Sequence, residues 1–144
     1  MASLDVSVIE TKSTQSLLIV DDEDNIVSAL KRLLRRDGYE ILTAASAEEG
    51  LAVLESYGAA VVISDQRMPG MNGAEFLREV KRRYPNTVRI MLTGHSQSNV
   101  LSESLKCRDI CRLLTKPWDD YQLRASVRSA FREYSLFRDR TRPP

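Results

Sequence analysis

Two short runs in this chain, Leu17-Leu18-Ile19-Val20 and Ala60-Val61-Val62-Ile63, are apolar at every position instead of alternating with polar residues. A strand of that kind has both faces covered, which points to a parallel sheet between layers of helix. Each run also ends abruptly in acid. The first passes into Asp21-Asp22-Glu23-Asp24, and the second hands Ser64-Asp65 to a loop bounded by Pro69-Gly70. A carboxylate at the tip of a buried strand is costly to desolvate, so it must be paired, bound to metal or used in chemistry.

Three further segments read as strands: Glu40 to Ala44, Val88 to Thr93 and Cys111 to Thr115. Helical spacing fills the intervals. After Asp24, residues Ile26, Leu30, Leu33 and Leu34 share one face, Lys31, Arg32, Arg35 and Arg36 form a solvated face, and Gly38 is expected as the C-terminal cap. Ser46-Ala47-Glu48-Glu49 has the pattern of a capping box, so a second helix should run toward Tyr57. Phe76, Leu77 and Val80 mark the buried side of a third that stops before Pro85. A weaker helix is expected from Ser98 to Lys106. Asp119 or Asp120 can cap the last, with Leu123, Val127, Ala130, Phe131 and Tyr134 as its stripe and Pro143-Pro144 as its stop. Strands alternating with helices at these spacings give an α/β fold, a parallel sheet with helices on both faces.

Composition narrows the function classes. A chain of 144 residues suits one domain with a substantial core. Residues 1–16 are expected as a tail, 17–132 as the domain, and 133–144 as a helical extension. With two cysteines and one histidine the chain has no complete four-ligand zinc site, and Cys107 and Cys111 are expected as reduced, small core fillers. Reduced thiols and an N-terminus without a signal-peptide layout favour the cytoplasm. The formal net charge of +1 carries no basic excess for nucleic acid or an anionic membrane, and no segment has the length of a membrane span.

The singular polar groups all fall at carboxyl ends of strands: Asp21 and Asp22 after the first, Asp65 after the third, Thr93 at the end of the fourth, Lys116 after the fifth. In open α/β sheets those ends form the ligand crevice. Were the first and third strands neighbours, three carboxylates would share one pocket, where like charges repel by about 4 kcal/mol per pair at ~4 Å and an effective dielectric of ~20. A cation with oxygen ligands would hold them, and Mg2+ suits carboxylates together with phosphate oxygens. Lys116 could pair with Asp65 or with a phosphoryl oxygen, and the Thr93 hydroxyl could donate to the same group. Asp65 is then a nucleophile suited to forming an acyl phosphate.

Four motifs in order, VDDED at 20–24, SDQRMPGMNG at 64–73, MLTGH at 91–95 and LLTKPW at 113–118, resemble the receiver domains of two-component response regulators over about residues 17 to 132. The resemblance implies the flavodoxin-like, doubly wound five-stranded sheet of order 2-1-3-4-5. It implies Asp65 as phosphoacceptor, Asp22, Asp65 and the main-chain carbonyl of Arg67 as direct Mg2+ ligands, and Asp21 acting largely through water. Thr93 would be the switch hydroxyl and Lys116 the phosphate-binding lysine, joined to Pro117 by a cis peptide. Leu113 stands where receivers often carry an aromatic switch residue, and Arg67 and His95 hold positions that in the family influence hydrolysis of the acyl phosphate. The implied partners are a histidine kinase or phosphotransfer protein, met through about 98–127, and an output domain or partner protein. The extension at 133–144 would be a connector or a dimer helix, so a homodimer is a further expectation.

Two other classes compete. A phosphohydrolase with an aspartate nucleophile wants an acid two residues on, and Arg67 stands there instead. A phosphate-independent pseudo-receiver, a docking module that keeps the fold without the chemistry, is the alternative reading; the full set of Asp21, Asp22, Asp65, Thr93 and Lys116 speaks against it and Leu113 for it.

Overall fold

A computed structural model describes residues 15–94 and 99–141. Most of the expected tail, His95, Ser98 and Pro143-Pro144 lie outside the described residues. The elements follow in strict alternation: β1 (Ser16–Val20), α1 (Asp24–Arg35), β2 (Glu40–Ala44), α2 (Ala47–Tyr57), β3 (Val61–Ser64), α3 (Gly73–Arg83), β4 (Val88–Thr93), α4 (Asn99–Lys106), β5 (Arg112–Thr115) and α5 (Asp120–Thr141). All strand pairs are parallel, in the order β2-β1-β3-β4-β5. This is the expected doubly wound sheet.

The continuous apolar runs do what their pattern requires. Leu17, Ile19, Val61, Ile63, Ile90 and Leu92 join one core cluster with Leu30 and Leu34 of α1 and Leu123, Val127 and Phe131 of α5. Leu18, Val20, Val62 and Met91 join the other, with Leu54 of α2, Phe76, Leu77 and Val80 of α3 and Leu101 of α4. Each buried side chain of this size contributes about 1.5–3 kcal/mol. The register is thereby pinned, because a slip by one residue would exchange the two cores. Val20 lies opposite Ser64, so Asp21 and Asp65 leave adjacent strands side by side.

Local capping differs from expectation in two places. Gly38 takes a left-handed φ of 84°, yet the cap residue of α1 is Arg36, and Gly38 lies two positions beyond it in the turn into β2. At α2 the Ser46 hydroxyl accepts from the Glu49 N–H at 3.1 Å, but the Glu49 carboxylate reaches back to the Ala45 N–H at 3.0 Å instead of closing the box on Ser46. The complete box belongs to α3, where Asn72 accepts from the Glu75 N–H at 2.9 Å and Glu75 accepts from the Asn72 N–H at 3.1 Å. Asp119 caps α5 by accepting from the Gln122 N–H at 2.9 Å.

Cys107 is not a core filler. It is exposed at the end of α4, whose inward positions are Leu101 and Ser104. At 3.6 residues per turn it stands about 120° around the helix from Leu101. Cys111 is half-buried against the α1/α5 side of the core, and both thiols are free.

Candidate functional site

The site is built at the carboxyl rim by strand ends, as the parallel topology dictates. Asp21 and Asp65 are 4% and 6% exposed, which is rare for carboxylates and demands partners. Asp22, the next residue along, is exposed. One oxygen from each of Asp21, Asp22 and Asp65 lies within 4.8 Å of the others. Lys116, after β5, crosses above β4 so that its Nζ is 2.9 Å from Asp21 Oδ2 and 3.4 Å from Asp65 Oδ1. Its ammonium therefore bridges the two buried acids, with the shorter bond to Asp21. The Lys116-Pro117 peptide is cis.

Asp21 has both oxygens engaged, since the Glu23 N–H also donates to Oδ1 at 2.9 Å. Asp65 is less well compensated. Burial, followed by the negative charge of Asp21, pushes its carboxyl above the usual range, and Lys116 and the Gln66 N–H only partly oppose this. For Lys116 burial works against the charged form, but the hydrogen bond and charge of Asp21, with the charge of Asp65, outweigh it and hold the ammonium above its ordinary value. Three carboxylates against one ammonium leave an excess of negative charge in a pocket made wholly of oxygen donors. That donor set fits a hard divalent cation such as Mg2+.

Thr93 ends β4 opposite Thr115, is fully buried, and its carbonyl accepts the Lys116 N–H at 3.0 Å. Arg67 lies in the loop between Asp65 and α3 with its side chain exposed. Leu113 packs half-buried against the α2/α3/α4 side of the core. The structure thus brings Asp21, Asp22, Asp65 and Lys116 together, with Thr93 at the adjoining strand end.

Several supporting residues escape a reading of the sequence. The buried Ser64 hydroxyl donates to the Asp65 carbonyl at 2.8 Å. Gly73 is required by close approach, because a Cβ there would stand 2.1 Å from the Asp65 carbonyl oxygen. The Gln66 side chain accepts the Ala74 N–H at 2.8 Å. Ser64 and Gln66 carry no sequence signal, being ordinary polar residues beside a charge; the N-x-x-E spacing of Asn72 and Glu75 was a legible sign of the α3 cap.

With that geometry in view, comparison with known proteins decides the family. The family model for the response regulator receiver domain matches residues 17–128. The chain belongs to that family. As a receiver it is 37% identical over 121 residues to the hydrogenase transcriptional regulatory protein HoxA of Cupriavidus necator, an alignment that covers 84% of this chain and 25% of HoxA. The chain therefore spans about a quarter of the length of that regulator. Among solved structures, this receiver is similar to the signal receiver domain of an HD domain-containing protein from Pseudomonas fluorescens Pf-5, with a TM-score of 0.83, 33% identity, and coverage of 87% of this chain and 92% of that one. It is also similar to a CheY-like response regulator receiver domain protein from Methanospirillum hungatei JF-1, with a TM-score of 0.80, 30% identity, and coverage of 85% and 97%. The receiver fold of two-component response regulators is the shared element. No helix among the described residues is long and apolar enough to cross a membrane.

Proposed function

We propose that this receiver takes a phosphoryl group from a histidine kinase or phosphotransfer protein onto Asp65 and uses the added charge to switch an output domain or partner. The observation that carries the reading is the triad of carboxylates within 4.8 Å together with a Lys116 ammonium 3.4 Å from Asp65. In the transfer, a carboxylate oxygen of Asp65 attacks phosphorus, the C–O–P linkage of an acyl phosphate forms as the P–N bond to histidine breaks, and the imidazole nitrogen departs with the electron pair. Asp22, Asp65 and the main-chain carbonyl of Arg67 would hold Mg2+, with Asp21 acting through water; when bound, the ion offsets the negative charge that gathers on the phosphoryl oxygens.

The remaining residues act by position and charge. Lys116 offsets part of the charge of Asp21 and Asp65 before transfer and is placed to pair with a phosphoryl oxygen afterwards. The Thr93 hydroxyl responds to the new group, which carries about −2 charge. Arg67 and His95 limit access of water to the acyl phosphate, and Leu113 repacks in the place of the usual aromatic residue. The protein assists its own phosphotransfer and turns over no external substrate. Residues 17–132 serve as the switching domain in the cytoplasm together with Ser16, the first residue of β1, and the rest of 1–16 is a tail. The helix α5 runs on to Thr141, 22 residues in all, and the extension at 133–144 serves as a connector to an output or as a dimer helix, the greater length of HoxA supporting the first.

The test is intact mass after incubation with phosphoramidate or acetyl phosphate and Mg2+. Wild type gains one phosphoryl group, removed by omitting Mg2+ or by Asp65→Asn. An unmodified wild-type protein would instead leave the phosphate-independent docking module as the reading.

A further inference from the structure

We propose that Gln66 is a positioning residue that ties the Asp65 carboxylate to the first turn of α3; the inference rests on Asp65 being the acceptor. Gln66 is bound at three points. Its N–H donates to Asp65 Oδ1 at 2.8 Å, its carbonyl accepts the Gly73 N–H at 2.9 Å, and its side-chain Oε1 accepts the Ala74 N–H at 2.8 Å.

The third bond matters because the capping box does not reach Ala74. Asn72 serves the Glu75 N–H, so the Ala74 N–H is one of the helix's unpaired donors, and Ala74 is 5% exposed, away from water. Gln66 supplies the missing acceptor from outside the helix. Gly73, with no Cβ to hold the chain off, lets the helix end lie directly on the Asp65 carbonyl. Helix end, peptide and carboxylate then move as one body.

The consequence falls on the two oxygens of Asp65. Among the described residues, both donors to its carboxylate, the Gln66 N–H and Lys116 Nζ, go to Oδ1. Oδ2 is left for a phosphoryl donor or a cation. Asp21 repels this carboxylate, and Lys116 pulls on both acids, so neither alone fixes its rotation. The Gln66 N–H can fix it only if its own peptide is held, and the side-chain bond to α3 helps to hold it.

The experiment compares the wild-type chain with Gln66→Met, near in size but lacking the acceptor, and Gln66→Glu, which keeps one. In the metal-free proteins, amide exchange at Ala74 should quicken at least about tenfold in Gln66→Met, whereas Glu75, capped by Asn72, should hold within about twofold. Phosphorylation by phosphoramidate with saturating Mg2+ should slow by about tenfold in the same variant, with both properties recovered in Gln66→Glu. Gln66→Ala repeats the comparison if the methionine variant does not fold. Unchanged Ala74 exchange would overturn the tether, and a deprotected Ala74 with wild-type phosphorylation would overturn the positioning role. A wild-type protein that takes up no phosphoryl group would sink the acceptor reading itself, an outcome distinct from a variant that matches wild type.

Discussion

The two rims of the sheet bury charge in opposite ways. At the carboxyl rim, Asp21 and Asp65 share one Lys116, the exposed Asp22 stands beside them, and negative charge is left over. At the amino rim stands Arg89, the second residue of β4 and 6% exposed. No carboxylate lies within ion-pair distance of it among the described residues; its guanidinium donates instead to the carbonyls of Thr87 at 2.7 Å, Asp109 at 2.9 Å, Arg108 at 3.0 Å and Pro85 at 3.4 Å. Each nitrogen of the Arg89 guanidinium has a main-chain acceptor, and the residue staples the turn between α4 and β5, including Arg108 at its left-handed φ of 62°. Lys81 reinforces the same turn, donating to the Cys107 carbonyl at 2.5 Å and standing 3.6 Å from Asp109. Arg89 serves as scaffold, whereas the surplus of negative charge at the carboxyl rim leaves room for a cation.

That contrast can be broken first at Arg89. Arg89→Met strands its carbonyl partners in a half-dry turn, and we expect a loss of about 3 kcal/mol in urea unfolding. A change within error of wild type would mean that the amino-rim charge is decoration and the contrast false.

The opposite sign is expected at the carboxyl rim. In metal-free protein, Asp65→Asn removes a buried like charge beside Asp21 while keeping the shape, so stability should rise by about 1 kcal/mol, a shift of about 3 °C or more in melting temperature. Destabilisation by this substitution would show that Lys116 already balances the site. On the proposed function the variant would take up no phosphoryl group, so the gain in stability would come at the expense of function.

A milder, better-watered pair refines the comparison. Arg124 on α5 holds Asp37, in the turn before β2, through bonds of 2.7 and 3.1 Å. The hydrogen bond from Arg124 lowers the Asp37 carboxyl below its ordinary value of 3.8, with burial opposing. A depressed folded-state pKa contributes stability that is present above the unfolded value and lost as pH falls through the folded one. Asp37→Asn should therefore cost only about 0.5 kcal/mol near neutrality, and the difference from wild type should shrink as pH falls from the ordinary carboxylate value through the lowered folded-state one. A difference that persists in acid would assign the cost to packing near the Tyr39–Phe131 stack, whose rings lie 4.4 Å apart.

How much of this could be read from residues alone depends on range. The strands of the sheet were legible because Leu17 to Val20 and Ala60 to Ile63 are apolar throughout, and the helices because their stripes recur at helical spacing. The placement of Asp21, Asp22, Asp65 and Lys116 on one rim was legible because a parallel sheet sends every strand's carboxyl end the same way. Capping was legible only in part: serine and glutamate at the right spacing mark a helix start, yet whether Glu49 closes on Ser46 or on Ala45 is settled by a fraction of a turn of backbone. Cys107 misled because a small apolar side chain gives no sign of which way a short helix faces.

Chain order and residue type by themselves determined an α/β sheet with acids, an alcohol and an amine gathered at one edge, since backbone alternation and apolar periodicity are local properties. Tertiary structure alone decided that Lys116 bonds Asp21 more closely than Asp65, that Arg89 is hydrogen-bonded by four carbonyls, and that Gln66 supplies the acceptor for Ala74. These are contacts between groups far apart in the chain or on separate elements. Their partners are chosen by a few tenths of an ångström and by the desolvation of each charge, and both of those exist only once the elements have packed.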